Sequence, residues 1–500
     1  MKLNKYFILK KLKMEAENNL LTVLPINNDE NEDDYKERRM SSSLQSLEIM
    51  QPEEKEDDED IPESLSRGIF DRIFGKMRAG SLRGSIFAMT SLSIGTGCLS
   101  FTKKVIQFGF VWFGVFLIIS AYAIYWSLVG MIRVSRKHGD LEYSSSVKKI
   151  LGKIPALVID IMTILYSFGI IITYEVIIFT LIGRTSYEFF ISHDKYKTYS
   201  DYETNEWNTL TYNIVVLLII SCLLIPLCLA KDIGKMKFFS LFGIIALFYT
   251  IIVLIIQCPF FFNHYINDVY KSDDDSTHAN WIDITRSFNS DLDFFTGFAT
   301  VIFSFACHQG AFPVFRTLKK NNPRRINKVF KRSIILDLCI YFLIYISSFL
   351  TTPLKSEDLI IFRESIFEND IFMNIAKISI IFELFFLIPS NFNSLRCSLF
   401  HLMFGNEDVE TVRNIVLTLV TLSLSSLIGA LYKGILTYIS LLGGFCCTTI
   451  CFLIPGSMII KCEWREMKTY EKVLNVLAVV ILCIMGFIGG IESVIQCFKG

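Results

Sequence analysis

Eleven long runs of apolar residues, separated by polar stretches, occupy the chain from residue 83 to residue 497. A helix that crosses the roughly 30 Å hydrocarbon core of a bilayer needs about 20 residues, and each run is long enough. The pattern predicts an all-α integral membrane protein with about 11 transmembrane helices. We number them segments 1 to 11, with predicted bounds 83–108, 110–134, 154–183, 210–230, 237–262, 294–316, 333–352, 371–403, 412–431, 435–460 and 473–497.

Two further regions precede segment 1. Residues 1–63 contain a serine-rich stretch at 41–46 and an acidic run at 51–63, a composition that cannot bury enough apolar surface to fold. We expect a disordered acidic cytosolic tail there. Residues 64–81 place apolar side chains at helical spacing and basic ones on the other face, which predicts an amphipathic interfacial helix. The alternative is a cytosolic helix packed on the membrane domain, which spans 82–500.

Composition and charge agree with a lipid environment. Hydrophobic residues make up 52% of the chain and the net charge is zero, so nucleic-acid binding is not indicated. Lys and Arg concentrate in loops 2/3, 4/5, 6/7 and 10/11, whereas the opposite loops are acidic, as at 271–275. Because cytoplasmic loops carry the basic excess, we expect a cytoplasmic N-terminus and a C-terminus that is outside or luminal. The choice between the plasma membrane and a vacuole-like or lysosome-like membrane stays open.

Two of the apolar segments are interrupted near their middle. Segment 1 contains Gly95 and Gly97 within three residues, which weakens a helix. Segment 6 is interrupted at 307–310 by Cys, His, Gln and Gly. The interruptions lie five segments apart, at corresponding positions of two halves. Broken helices of this kind form the midplane substrate sites of transporters built from repeats. For the glycine pair alone, close helix packing is the alternative.

The interrupted positions give the candidate substrate-binding residues. We expect the carboxylate of a substrate on N–H groups of segment 1 and its ammonium on carbonyls of both breaks. An imidazole within a membrane helix is costly unless it faces a cavity or a partner, although a structural role for the histidine is the alternative. The candidates are Gly95, Thr96, Gly97, Cys98, Ser304, Phe305, Cys307 and His308.

Over residues 82–497 the sequence resembles the amino acid/auxin permease family, which includes vacuolar amino acid transporters and sodium-coupled neutral amino acid transporters. The resemblance implies a five-plus-five inverted repeat like that of the bacterial leucine transporter, with one extra helix. It also implies secondary transport of amino acids by alternating access, coupled to H⁺ or Na⁺. The matching pieces are G-x-G-x-L at 95–99 with Gly109, LYSFG at 165–169, LIPLCLAKDIGKMKFFS at 224–240, SFACHQGAFP at 304–313, IPSNFNSLR at 388–396 and LGG…FLIPG at 442–456.

The chain departs from the family pattern in two places. Thr102 and Lys104 stand where the family usually has a proline and a small residue. We expect Lys103 and Lys104 to extend to the outer surface, the alternative being a site biased toward an anionic substrate. Leu387 stands where sodium-coupled members have a threonine, and it offers no oxygen to Na⁺. The departure favours H⁺ as the coupling ion.

Carboxyl groups within apolar segments are the candidates for proton coupling. Glu175 lies in segment 3 and Glu383 in segment 8. A low dielectric favours the neutral form of a carboxyl, so such a group can carry a proton. Glu383 is preferred because segment 8 lines the ion site of the fold that the resemblance implies, and a structural hydrogen bond is the alternative for each. Asn391 is a third coupling candidate, whereas we expect Asp160 and Asp337 to be interfacial and without a role.

Other function classes find little support. Phosphate-loop, zinc-ligand and Ser/His/Asp patterns are absent at usable spacing, so we expect no enzyme activity, metal or cofactor. The serious rival is an amino acid sensor that signals through residues 1–63 to a cytosolic partner. A solvated trafficking tail is the plainer interpretation of that region.

Overall fold

The computed structural model describes residues 81–140, 142–190, 199–207, 209–229, 237–264, 293–318, 322–351, 357–363, 365–367, 370–404 and 411–499. The predicted tail at 1–63 and the predicted interfacial helix, except its last residue, lie outside these ranges.

The described ranges contain ten helices that are long and apolar enough to cross a membrane. They contain eleven if the pair Leu82–Ser93 and Cys98–Val105, bent by 47°, counts as one span. The predicted all-α membrane architecture is therefore confirmed. The segments are 1, Leu82–Ser93, Thr96–Ser100 and Phe101–Phe108; 2, Phe110–Lys137; 3, Lys153–Phe190; 4, Leu210–Leu229; 5, Lys237–His264; 6, Asp293–Phe305 and His308–Thr317; 7, Pro323–Thr351; 8, Ile371–Phe404; 9, Thr411–Leu431; 10, Ile435–Leu441 to Ile454–Glu463; and 11, Thr469–Lys499.

Segment 7 is longer than its apolar run predicts. Its helix begins at Pro323, ten residues before the predicted start at 333. Proline suits the first position of a helix because its missing N–H has no intrahelical acceptor there. The basic residues at 324–332 continue the helix, whereas a prediction based on hydropathy counts only apolar positions. Residues such as Asp337 consequently lie deep within the helix and not near its end.

Segments 6 and 10 form the centre of the bundle. Their membrane windows are 78% buried, whereas those of segments 4 and 11 are 33% buried and expose apolar side chains suited to lipid. Small residues allow the central backbones to touch. A Cβ added at Gly443 would lie 2.0 Å from the Ala299 carbonyl oxygen, and one at Gly489 would lie 2.2 Å from that of Phe295. Glycines thus fix segment 6 against segments 10 and 11.

Candidate functional site

A cavity of about 270 Å³ lies where the breaks in segments 1 and 6 meet. Its walls come from segments 1, 3, 6, 8 and 10. Ligand pockets usually measure about 300–1,000 Å³, so this cavity suits a small solute. The side chains that line it are neutral, with a single imidazole and no Asp, Glu, Lys or Arg among the described residues.

Five of the predicted substrate-binding residues line this cavity: Gly95, Gly97, Ser304, Cys307 and His308. The two breaks contact each other directly. A Cβ added at Gly97 would lie 2.7 Å from Ser304 Oγ. The residue pattern that predicts two breaks thus also identifies their meeting point.

Three predicted residues lie behind the cavity wall. Thr96 and Cys98 are buried in the tight turn Thr96–Ser100, where the Cys98 thiol donates to the Gly95 carbonyl at 3.0 Å. The ring of Phe305 packs 4.7 Å, centroid to centroid, from that of Tyr341. Side chains around a helical turn point in different directions, so a contiguous stretch of sequence cannot all face one cavity.

Tyr341 of segment 7 contacts a backbone carbonyl at each of the two breaks. The Tyr341 hydroxyl lies 3.0 Å from the Ser93 carbonyl oxygen and 2.5 Å from that of Ser304. Helix ends leave carbonyls without intrahelical partners, and here a single buried donor lies against two of them. One turn earlier, Asp337 accepts from Ser93 Oγ at 2.5 Å. The expectation that Asp337 is interfacial is wrong, because the carboxyl is fully buried.

His308 begins the second helix of segment 6 and is 1% exposed. Its Nε2 lies 3.0 Å from Ser127 Oγ, and that hydroxyl donates to the Cys451 carbonyl. Because the single Ser127 proton is used there, Nε2–H must be the donor to Oγ, which assigns the tautomer. Nδ1 is then an acceptor, and it has no hydrogen-bond partner within the described ranges.

Glu383 is buried beside the break in segment 1. It packs on Gly243 of segment 5, where an added Cβ would lie 2.9 Å from Glu383 Cγ. It also interacts electrostatically with Cys98 in the break and with Tyr174, which lines the cavity. Glu383 itself does not line the cavity. It is thus close enough to influence the break without touching a bound solute.

Glu175 has a different environment. It lies between segments 3, 4 and 9 and accepts hydrogen bonds from Ser425 at 3.0 Å, Ser221 at 3.1 Å and Ser426 at 3.4 Å. It does not line the cavity. Asn391 does line it, and its amide donates to the Leu387 carbonyl one turn earlier at 3.1 Å. The structure therefore separates the three coupling candidates.

The two lysines after the first break have different environments. Lys103 is 43% exposed and pairs with Asp358 at 3.0 Å. Lys104 is 4% exposed, and its Nζ donates to Thr296 Oγ1 of segment 6 at 2.7 Å. The expectation that both extend outward is wrong for Lys104, because neighbouring helical residues point about 100° apart. Neither lysine lines the cavity, so neither favours an anionic substrate.

Several cavity residues were not predicted from the sequence, namely Tyr166, Tyr174, Ser390 and Ser394. Tyrosine and serine are common in membrane helices, and without the packing no pattern distinguishes those that face a cavity. Their polar groups supplement the backbone atoms of the breaks.

The chain is similar to several known proteins. The family described as transmembrane amino acid transporter protein matches residues 78–498. Zebrafish sodium-coupled neutral amino acid transporter 7 is 26% identical over 437 residues, covering 83% of this chain and 87% of the relative. Zebrafish sodium-coupled neutral amino acid symporter 2 is 22% identical over 416 residues, covering 81% and 79%. The putative amino acid transporter AAT1 of Plasmodium falciparum is 26% identical over 325 residues, covering 64% and 48%.

Among solved structures, MhsT in complex with L-phenylalanine matches with a TM-score of 0.50 at 12% sequence identity. The match covers 85% of this chain and 100% of MhsT. At this identity the match establishes the fold alone. The predicted leucine-transporter-like fold is therefore confirmed.

Proposed function

The chain belongs to the transmembrane amino acid transporter family, and we propose that it carries neutral amino acids by alternating access with protons as the coupling ion. Members of that family carry out secondary active transport of amino acids across a membrane. They are transporters and not enzymes. The substrate class and the coupling ion are proposed from the site.

The uncharged cavity wall carries the proposal for the substrate class. No Asp, Glu, Lys or Arg among the described residues lines the cavity. A charged substrate side chain there would lose its hydration without gaining an ion-pair partner, which is strongly unfavourable. The names of both zebrafish relatives also specify neutral amino acids. A charged substrate should therefore bind much more weakly than a neutral one of similar size.

Backbone groups at the two breaks support binding of the zwitterion. The N–H groups around the break at Gly95–Cys98 and the first turn of the helix His308–Thr317 are suited to the substrate carboxylate. For the ammonium, the Ser304 carbonyl already accepts from Tyr341, although a carbonyl has a second lone pair. His308 lines the cavity, but its Nδ1 is buried. The ammonium thus depends on carbonyl oxygens of the two breaks.

Two observations support protons over sodium. Leu387 lines the cavity and supplies no oxygen ligand, although the names of the zebrafish relatives specify sodium coupling. Glu383 is a buried carboxyl beside the first break and has no ion pair within the described residues. A carboxyl in such surroundings can take up and release a proton as the break opens. We propose Glu383 as the coupling residue in preference to Glu175, whose oxygens already accept three hydroxyl groups.

The proposed topology has a cytoplasmic N-terminus and a C-terminus that is outside or luminal. The alternating basic loops of the sequence support it. Epitope tags at the two termini, probed in sealed cells, should report opposite sides of the membrane. Tags are needed because the exposed cysteines Cys222 and Cys339 lie within membrane segments, where labelling does not distinguish the two sides.

The test of the proposal is uptake of pooled labelled amino acids by purified protein in liposomes. We expect uptake of neutral amino acids, weak competition by Lys or Glu, and reduced pH-driven accumulation in Glu383→Gln. Asp160→Asn is the matched control, because Asp160 bonds Ser144 away from the cavity. Binding without flux would instead favour the sensor. Accumulation driven by sodium alone would overturn proton coupling.

A further inference from the structure

Asp337 is a buried carboxyl that does not line the substrate cavity. It lies within segment 7, fully buried, and its Oδ2 accepts from Ser93 Oγ at 2.5 Å. Its Oδ1 has no hydrogen bond of normal geometry within the described ranges, and neither has the nearby Thr90 hydroxyl. A buried carboxylate oxygen without a partner is costly. The residue therefore calls for a role beyond packing.

Among the described residues, no positive charge compensates Asp337. The titratable groups that interact with it are the thiols of Cys98 in segment 1 and Cys307 in segment 6, and the hydroxyl of Tyr341 on its own helix. No described basic side chain pairs with it, and Glu383 interacts with the same Cys98 thiol. A charge at Asp337 is therefore not neutralised by the described protein.

The carboxyl is one hydroxyl group away from the cavity. Ser93, whose side chain donates to Asp337, also lines the cavity and is the last residue of the first half-helix of segment 1. Its carbonyl lies against the Tyr341 hydroxyl, which also lies against Ser304 at the other break. Asp337 and Tyr341 thus form one face of segment 7 that contacts the ends of both half-helices. A change of charge on this face alters the contact that fixes segment 1.

We propose that Asp337 is a second coupling carboxyl, which binds a proton in step with the movement of the half-helix Leu82–Ser93. The inference rests on the proposed proton coupling. The step adds one proton to the carboxylate. A hydronium ion in the cavity gives a proton to Ser93 Oγ while the Ser93 hydroxyl gives its own proton to Oδ2, so one Oγ–H bond breaks as another forms and a water molecule is left. The neutral acid carries no charge that requires the Ser93 donor, so the half-helix can leave segment 7.

The test is the pH dependence of substrate affinity in the purified full chain. The probe is labelled L-alanine, L-leucine or L-glutamine, whichever the pooled uptake assay shows to be bound best. The slope of log Kd against pH counts the protons taken up with substrate, and each proton changes Kd tenfold per pH unit. We expect Asp337→Asn, which keeps a carbonyl oxygen for Ser93, to lower this slope by one. Glu383→Gln should lower it independently, and Asp160→Asn should leave it unchanged.

A merely structural role for Asp337 would weaken binding by the same factor at every pH, so an unchanged slope in Asp337→Asn overturns the inference while proton coupling through Glu383 stands. A wild-type protein with no pH dependence and no pH-driven uptake would instead refute the proposed function. If Asp337→Asn does not fold, Ser93→Ala decides. It keeps the carboxyl but removes the donor to the ionised form, so the midpoint of the pH profile should shift to higher pH. An unshifted midpoint overturns the inference.

Discussion

The contact between the two breaks makes Gly97 sensitive to substitution. An alanine Cβ at this position would lie 2.7 Å from Ser304 Oγ and 2.9 Å from Phe303 Cδ1. Both distances are below van der Waals contact, so segment 1 and segment 6 must separate or the two side chains must move. Moving Ser304 Oγ would break its hydrogen bond to the Thr300 carbonyl at 2.9 Å, and the Phe303 ring is buried.

The cost of this overlap sets the expected size of the effect. Inserting a methyl group into a packed interior costs about 1–3 kcal/mol. If that cost falls on the closed, substrate-bound state, it corresponds to a loss of roughly 5-fold to 150-fold in affinity. We therefore expect Gly97→Ala to lower substrate affinity within that range. The assay is counterflow exchange of a labelled neutral amino acid in liposomes, with Kd measured on the same preparation.

Substitutions at other glycines show whether the steric contact of Gly97, or glycine at any position of the break, is required. At Gly95, whose backbone is extended, an added Cβ would meet only the Tyr174 hydroxyl, at an ordinary 3.4 Å. Gly95→Ala should therefore lose less affinity than Gly97→Ala. Gly114 lies in segment 2, outside the site, and a Cβ added there would lie an ordinary 3.4 Å from the Tyr345 hydroxyl. Gly114→Ala therefore serves as the control. Equal losses at Gly95 and Gly97 would refute the contact argument, since flexibility of the break would then be the requirement.

Three further predictions follow from buried contacts. Tyr341→Phe removes the donor to two carbonyls, so the free energy of unfolding should fall by about 1–3 kcal/mol; an unchanged denaturation midpoint would contradict this. Gly243→Ala should displace Glu383, since the new Cβ would lie 2.9 Å from Glu383 Cγ, and should reduce pH-driven uptake more than exchange. Outside the membrane segments, partial burial lowers the pKa of Lys433 from 10.5 to about 8, opposed by Glu203. Between those pH values the unfolded chain binds more protons, so Tm should rise with pH, and Lys433→Met should remove the rise.

Hydropathy and small-residue patterns predict much of this protein. They predict the segments, because a membrane span must be apolar along its whole length. They also predict the breaks at Gly95–Gly97 and at Cys307–His308, because polar and helix-weakening residues at midplane depth are rare without function. These predictions concern the position of a residue along one helix. That information lies in the sequence alone.

Contacts between helices are harder to predict. Asp337 and Lys104 appear near segment ends in a hydropathy profile, yet one is bonded to Ser93 and the other to Thr296. The helical rotation of each residue and the true start of segment 7 decide these contacts. Likewise, no single-sequence pattern separates Tyr174, which lines the cavity, from a tyrosine that faces lipid. Such contacts depend on the packing of several helices at once.

Proton-driven accumulation tests the central claim most directly. Liposomes containing the wild-type protein should be given a pH gradient of one unit, acidic outside, with sodium absent and the membrane potential clamped at zero. Each proton carried with the substrate should then multiply the accumulation of a neutral amino acid by up to about tenfold, since one pH unit is equivalent to 1.36 kcal/mol. Glu383→Gln should keep exchange of the amino acid but accumulate it up to about tenfold less than the wild type. Accumulation that requires a sodium gradient and ignores the pH gradient would contradict the account.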